Sequence, residues 1–373
     1  MSLHYLDNAA TTQVIRPAAD AAVHAMCEAF GNPSSLHEEG ARAKELVKAA
    51  RSQVAGALGC KPERIIFTSG GTESDNTAIF GTARKCRHQG KHIITSTVEH
   101  PAVARAIALL EHEGFTVTRI APQSNGSILV SDVEAALRND TVLVSVMHVN
   151  NETGAVMPIR EIADMLKRRQ SRALFHCDGV QAFTKVPDRV DALGVDFYAV
   201  SGHKVHAPKG IGALYIRQGV KIPAHIIGGG QEDDMRSGTE NVPLIAAFGE
   251  AIANTPKAAS KTVLSLRDHL MERLHDMPYV HINFPDALPC VISLSLPGLK
   301  AENVLNVLDS REIYVSTGSA CAKGTRSKVL EACGLPIPII DSSLRISLSW
   351  TNTIDDIDAL ADGLAAAYAR FKK

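Results

Sequence analysis

Charge of one sign is missing from this chain: 39 basic residues stand against 40 acidic ones, a net of -1. Without a one-signed field, neither nucleic acid nor an anionic membrane surface is an expected partner, and a small-molecule substrate is. No apolar run approaches the ~20 residues that a membrane-spanning helix needs. The start, Met1-Ser-Leu-His-Tyr-Leu-Asp7, lacks the basic stretch followed by an apolar one that marks a secretory signal. The cysteines (Cys27, Cys60, Cys86, Cys177, Cys290, Cys321 and Cys333) are odd in number, scattered, and without metal-ligand spacing. That pattern excludes a disulfide framework, gives no reason to expect a metal, and suits free thiols in a reducing cytoplasm. Repeats and low-complexity segments are also absent.

What is present is alternation. Seven short β-rich runs fall between residues 64 and 216: Arg64–Thr68, His92–Ser96, Phe115–Ile120, Thr141–Val146, Ala173–Cys177, Phe197–Val200 and Gly212–Ile216. Amphipathic helical patterns separate several of them, one opening on the cap-like Ser131-Asp-Val-Glu134 and another ending in Lys167-Arg168-Arg169, where cations suit a helix dipole. This pattern predicts an α/β fold with a mostly parallel seven-stranded sheet covered on both faces. At 373 residues the chain exceeds one ordinary core. A large domain is expected over 14–255. A smaller α+β domain is expected from 1–13 together with 256–373, where a helix pattern breaks at Pro256 and Thr353-Ile-Asp-Asp356 opens a closing helix.

The chemistry collects at the ends of the predicted strands. Lys204, in Ser201-Gly-His203-Lys204, follows one apolar run, and Asp178, with Gln181 close behind, ends its neighbour. A lysine amine able to condense with an aldehyde, and an acid to face an aromatic ring nitrogen, are the basic needs of pyridoxal 5'-phosphate (PLP). That cofactor also needs donors for its phosphate. The turn Thr68-Ser-Gly-Gly71-Thr72-Glu-Ser74 joins a strand to a helix and offers free backbone N–H groups with the Thr72 hydroxyl; Ser201 and His203 would complete the cup. His100 could stack on the ring and handle protons, and Asn151 could reach a cofactor oxygen or a substrate carboxylate; plain hydrogen bonding and turn formation are the competing roles. Ligands of open α/β sheets bind beyond the carboxyl ends of the strands, where all these residues lie.

Two features bear on the reaction. Val315-Ser-Thr-Gly-Ser-Ala-Cys321-Ala-Lys323-Gly-Thr-Arg326 is a small-residue loop carrying one cysteine, with Lys323 and Arg326 to favour its thiolate. Arg345 is a charge inside an apolar strand, which calls for a planar anion: a substrate carboxylate or an internal acid.

Taken together, Tyr5-Leu-Asp-Asn-Ala-Ala-Thr-Thr12, Gly31-Asn-Pro-Ser-Ser35, Ser69-Gly-Gly-Thr-Glu73, Glu99-His100, Asn150-Asn151-Glu152, Asp178-Gly-Val-Gln181, Ser201-Gly-His-Lys204, Arg236-Ser-Gly-Thr239, Gly318-Ser-Ala-Cys321 and Arg345 resemble the cysteine desulfurases. These are class V aminotransferase-fold enzymes, and the Gly-Ser-Ala-Cys loop looks like their first group. The resemblance implies a PLP-dependent transferase fold of the aspartate aminotransferase type. It also implies a homodimer in which Thr239 reaches the phosphate of the partner's cofactor. In the implied reaction L-cysteine, held by Arg345 and Asn151, gives alanine; Lys204 moves the α-proton, His100 assists at the thiol, and the Cys321 thiolate attacks the substrate sulfur, which stays on the enzyme as a persulfide. A protein acceptor, either an iron–sulfur scaffold or a tRNA-thiolation enzyme, would then take the sulfur. Selenocysteine lyase chemistry and another PLP reaction on the same fold remain open beside it, as does a catalytically silent subunit. One departure stands out: after Cys321 the chain reads Ala322-Lys-Gly-Thr-Arg-Ser-Lys328, about two residues shorter than the group's usual loop. Ser349-Trp350 also replaces the more frequent Gly-Arg after Arg345.

Overall fold

The computed structural model describes residues 3–317 and 326–372. A two-residue strand β1 (His4–Tyr5) precedes helices α1 (Arg16–Cys27) and α2 (Glu38–Leu58). The alternating region follows as β2 (Ile65–Thr68), α3 (Gly71–Cys86), β3 (His92–Ser96), α4 (Pro101–His112), β4 (Thr116–Ile120), α5 (Val130–Ala136), β5 (Thr141–Ser145), α6 (Ile159–Arg168), β6 (Leu174–Asp178), α7 (Val190–Leu193), β7 (Phe197–Ser201) and β8 (Gly212–Ile216). Helices α8 (Val242–Ala253) and α9 (Ala259–His275) flank Pro256, which interrupts the helical run as its missing N–H requires. The remainder is β9 (His281–Ile282), β10 (Val291–Ser295), α10 (Ala301–Asp309), β11 (Ile313–Tyr314), α11 (Lys328–Ala332), α12 (Ile337–Asp341), β12 (Ser343–Ser347) and α13 (Ile354–Phe371).

The expected seven strands form one sheet, ordered β2-β8-β7-β6-β5-β3-β4, in which β8 alone runs antiparallel to its neighbours. Adjacent residues of one strand serve opposite faces, as the two-residue period of a strand demands. Ile93, Leu143, Phe197 and Leu214 pack with α3 and α4, whereas Ile94, Val144, Tyr198 and Tyr215 join the core shared with α2, α6 and α8. Burial on both faces explains why these strands read as continuous apolar runs; each large aliphatic there contributes about 1.5–3 kcal/mol.

A separate core gathers Leu6 and Ala9 with apolar residues between Val263 and Ala367, around the three-stranded sheet β12-β10-β9 and the parallel pair β1-β11. The capping box at Thr353 is present: its hydroxyl accepts from Asp356 N, and the Asp356 carboxylate accepts from Thr353 N. The one expected at Ser131 is not. There α5 already starts at Val130, with Leu129 at the cap position, leaving Ser131 inside the helix, where its hydroxyl makes no cap. No helix among the described residues is long and apolar enough to cross a membrane.

Candidate active site

Because β2, β3, β5, β6 and β7 point the same way, their carboxyl ends meet along one edge of the sheet. A cavity of about 300 Å³ opens there. It is lined by Gly71, Thr72, His100, Asn151, Asp178, Gln181, Ser201, His203, Lys204 and Arg345. Of the expected site residues, Thr239 alone among the described ones lies elsewhere. It is exposed in a separate cleft beside Thr68, Ser69 and Arg236. Cys321 and Lys323 lie outside the described residues.

Lys204 ends a short 3-10 turn directly after β7. Its Nζ donates to the carbonyls of Ala9 (2.6 Å) and Ala10 (2.7 Å). Those carbonyls belong to the N-terminal segment, which is threaded between the two cores by Asn8 N to Ser347 O and Thr12 N to His203 O. Burial, then the nearby positive charges of Lys185 and Arg345, lower the Lys204 pKa to about 7, against the pull of Asp7 and Asp178. A neutral amine is therefore available near pH 7, which an ordinary lysine does not offer.

Asp178 closes β6. Its Oδ1 accepts from Val180 N (3.0 Å), the common turn use of such an acid, yet its side chain also faces the cavity. Burial raises its pKa, while His100, the Val180 N–H and Lys204 all pull it down. His100 caps α4, its Nδ1 accepting from Ala102 N (3.2 Å). Since Nδ1 is an acceptor, the neutral ring carries its proton on Nε2 and can present it to the cavity. Burial lowers the His100 pKa, as Lys204 does, with Asp178 opposing. The structural role weighed for this histidine is present, and the same ring lines the cavity.

The two asparagines divide their work. Asn150 builds the turn, its Oδ1 accepting from Glu152 N and Thr153 N, whereas Asn151 lines the cavity. Gln181 turns its amide to Ala9 O (2.9 Å) and accepts from Lys185 Nζ (3.2 Å), so its amide group is committed to the N-terminal segment and to Lys185. Arg345, only 3% exposed, answers the question of its partner with an internal acid. It donates to Asp7 Oδ1 (2.7 Å) and Asn151 O (3.0 Å), and it still borders the cavity. Arg326 is engaged by Asp341 through two bonds of 2.6 and 3.0 Å, which redirects the cation expected to serve the cysteine loop.

The phosphate cup can be tested on the backbone. Helix α3 begins at Gly71 with no side-chain cap, so its first N–H groups are not taken up by a capping side chain. A Cβ on Gly71 would meet Val180 Cγ2 at 2.6 Å, and Gly70 sits at φ +151°, so only glycines allow this close turn. With Thr72, Ser201, His203, Lys204 and Asp178 around the same cavity, these residues fit PLP.

Three residues of the site were not foreseen. Asp75, one helical turn after Gly71, faces the same cavity; the i to i+4 spacing from the phosphate turn was the available signal. Glu152 lines it too and accepts from Ser327 Oγ (2.5 Å), joining the chain just after the cysteine loop to the cavity wall. Glu99 lies buried just before His100, accepting from Ser96 and from Met147 N, and burial pushes its pKa up to about 8.

An aldehyde-reactive lysine, a buried acid and an anion cup at the carboxyl edge of a mostly parallel sheet define a cofactor-dependent transferase site. The family model for class-V aminotransferases matches residues 4–360, and the chain belongs to that family, whose members use PLP. It is 44% identical over 365 residues to a cysteine desulfurase IscS of Methanosarcina thermophila, covering 96% of this chain and 90% of that protein. A solved NifS-like protein superposes with a TM-score of 0.93 at 34% identity, over 99% of this chain and all of that one. A second, SspA in complex with cysteine, gives a TM-score of 0.83 at 35% identity over 94% of this chain. A cysteine desulfurase IscS of Dictyoglomus turgidum is 41% identical over 96% of this chain and 93% of that protein, and this chain is a cysteine desulfurase.

Proposed function

We propose that the enzyme binds PLP in the described cavity and converts L-cysteine to L-alanine, leaving the sulfur on Cys321 as a persulfide. The observation that supports this most strongly is Lys204, its amine buried and its pKa near 7, in one cavity with Asp178, His100 and an uncapped helix start. Bound PLP supplies an aldehyde for an amine and an electron sink for charge left at the substrate Cα. Gly71, Thr72, Ser201 and His203 would hold its phosphate, and Asp178 its ring nitrogen. Arg345 and Asn151 orient the substrate carboxylate. Lys204, neutral near pH 7, takes the α-proton and can return one. The Cys321 thiolate attacks the substrate sulfur: an S–S bond forms, the C–S bond breaks, and its electron pair goes to the carbon that becomes the alanine methyl once protonated. His100 Nε2 is placed to exchange the thiol proton. An external thiol then reduces the persulfide and releases sulfide.

Exposed Thr239, in a cleft of its own, supports a homodimer in which it completes the partner's phosphate site. The separate cores support reading 14–255 as the large domain and 1–13 with 256–373 as the small one. The sulfur acceptor is read as a protein, an iron–sulfur scaffold or a tRNA-thiolation enzyme.

The test is product analysis with L-cysteine, L-selenocysteine, and L-alanine plus a keto acid run side by side. Sulfide and alanine in equal amounts from cysteine are expected. Selenide release alone would assign the enzyme as a selenocysteine lyase, and amino transfer alone would make it an aminotransferase. A second expectation concerns Arg345→Gln. Losing charge-assisted hydrogen bonds to a carboxylate costs about 1.5–3 kcal/mol each, so KM for cysteine should rise about 10–100-fold. The change in kcat should be smaller, because such bonds form before the transition state. An unchanged KM would show that Arg345 serves Asp7 alone.

A further inference from the structure

Beneath the cavity the fold buries more acid than the reaction described above employs. Asp75 on α3 is 1% exposed, and it, Asp178 and His100 each bring a ligand atom within 4.8 Å of the others. Two carboxylates so close cannot both ionise away from water, so one proton must stay. The surroundings decide which acid keeps it. Asp178 has the Val180 N–H, and Lys204 and His100 both favour its charged form. Asp75 has no such support. Its Oδ1 lies 3.3 Å from His176 Nε2, but neither atom makes a directed hydrogen bond. His176 is fully buried, bonded through Nδ1 to Ser145 Oγ (2.8 Å), and burial drops its pKa to about 3, so it is no counter-ion. The other groups facing Asp75, Glu99 and Cys177, are acids themselves. The dipole of α3 favours an anion near its start, but that start is built for a different one.

We propose that Asp75 is a positioning residue: it remains a neutral acid against Asp178, so that Asp178 alone carries the negative charge facing the cofactor ring nitrogen. This rests on the role given to Asp178 above. Asp75 acts on the cofactor only through that neighbour.

Infrared spectroscopy of the cofactor-free protein, labelled with carboxyl-carbon-13 aspartate so that Glu99 is silent, reads this directly. A neutral aspartic acid band is expected at pH 7, lost in Asp75→Asn and kept in Asp178→Asn, because burial alone holds the Asp75 proton. In the loaded enzyme, Asp75→Ala should weaken PLP binding about tenfold, and Asp75→Asn should restore most of that loss. In an Asp178→Asn background, Asp75→Ala should weaken PLP binding much less than in the unsubstituted enzyme, because its effect runs through the Asp178 charge. No neutral aspartic acid band in the unsubstituted protein would overturn the proposal even if Asp75→Asn failed to fold. A band lost in Asp178→Asn but kept in Asp75→Asn would overturn it too, since Asp178 would then be the acid that holds the proton. If Asp178→Asn left PLP binding intact while Asp75→Asn abolished it, the reading of Asp178 itself would fall.

Discussion

Lys204→Ala should yield a protein that folds, lacks the visible absorbance of covalently held PLP, and releases sulfide from cysteine at least about 10³-fold more slowly. Positioned acid–base groups contribute about 10²–10⁴-fold, and on the proposed reading this residue would also anchor the cofactor. Among the described residues Lys204 hydrogen-bonds the carbonyls of Ala9 and Ala10, so the loss should be chemical rather than structural. The pH dependence follows from its depressed pKa. Below about 7 the amine is protonated and cannot attack an aldehyde; above it, the amine is free. Cofactor uptake by the cofactor-free enzyme should therefore rise about tenfold per pH unit up to about 7 and then level off. A normal lysine would keep the rise going to about 10. Stopped-flow absorbance across that range checks it, and a rise continuing past pH 9 would contradict the assignment. Replacing Lys185, the nearest cation acting on Lys204, by Met should shift the break upward.

Cys321→Ala should separate binding from sulfur transfer. PLP should remain bound and cysteine should still perturb its spectrum, while sulfide release falls at least about 10³-fold, as expected when a nucleophile is removed. Undiminished release would exclude Cys321. The chain leaves Ser316 and returns at Ser327, and both ends are tied to the cavity wall. Ser316 exchanges backbone hydrogen bonds with Arg345, and the Ser327 hydroxyl donates to Glu152. Cys321 is five residues from Ser316, so it can stand at most about 18 Å from it. On the proposed persulfide reading, a sulfur acceptor is expected to come to the cavity mouth. Inserting two residues after Cys321 should leave alanine formation in place and relax the dependence on a close-docking acceptor. Persulfide transfer to acceptors of different size measures that.

Much of the site was readable before the fold because it is local. Gly71 and Thr72, His100, Asn151, Asp178 and Lys204 each follow a strand within a few residues, and parallel strands must bring those ends to one edge. The apolar runs that declared the strands are the same residues that cover both sheet faces. Cap chemistry was less secure: Thr353 obeyed its local pattern, whereas at Ser131 the helix began earlier.

By itself, then, the sequence determined the strand-helix alternation and the residues that gather at the carboxyl edge of the sheet, because each is written over short stretches by periodicity and turn chemistry. Tertiary structure alone decided the partners. Arg345 meets Asp7 across 338 positions, Lys204 meets Ala9 across 195, and Asp75 meets His176 from another element of the core. Such pairs are set by packing and by the cost of leaving charge without company in a dry interior. That cost depends on everything surrounding a residue in space, which the order of residues along the chain does not display.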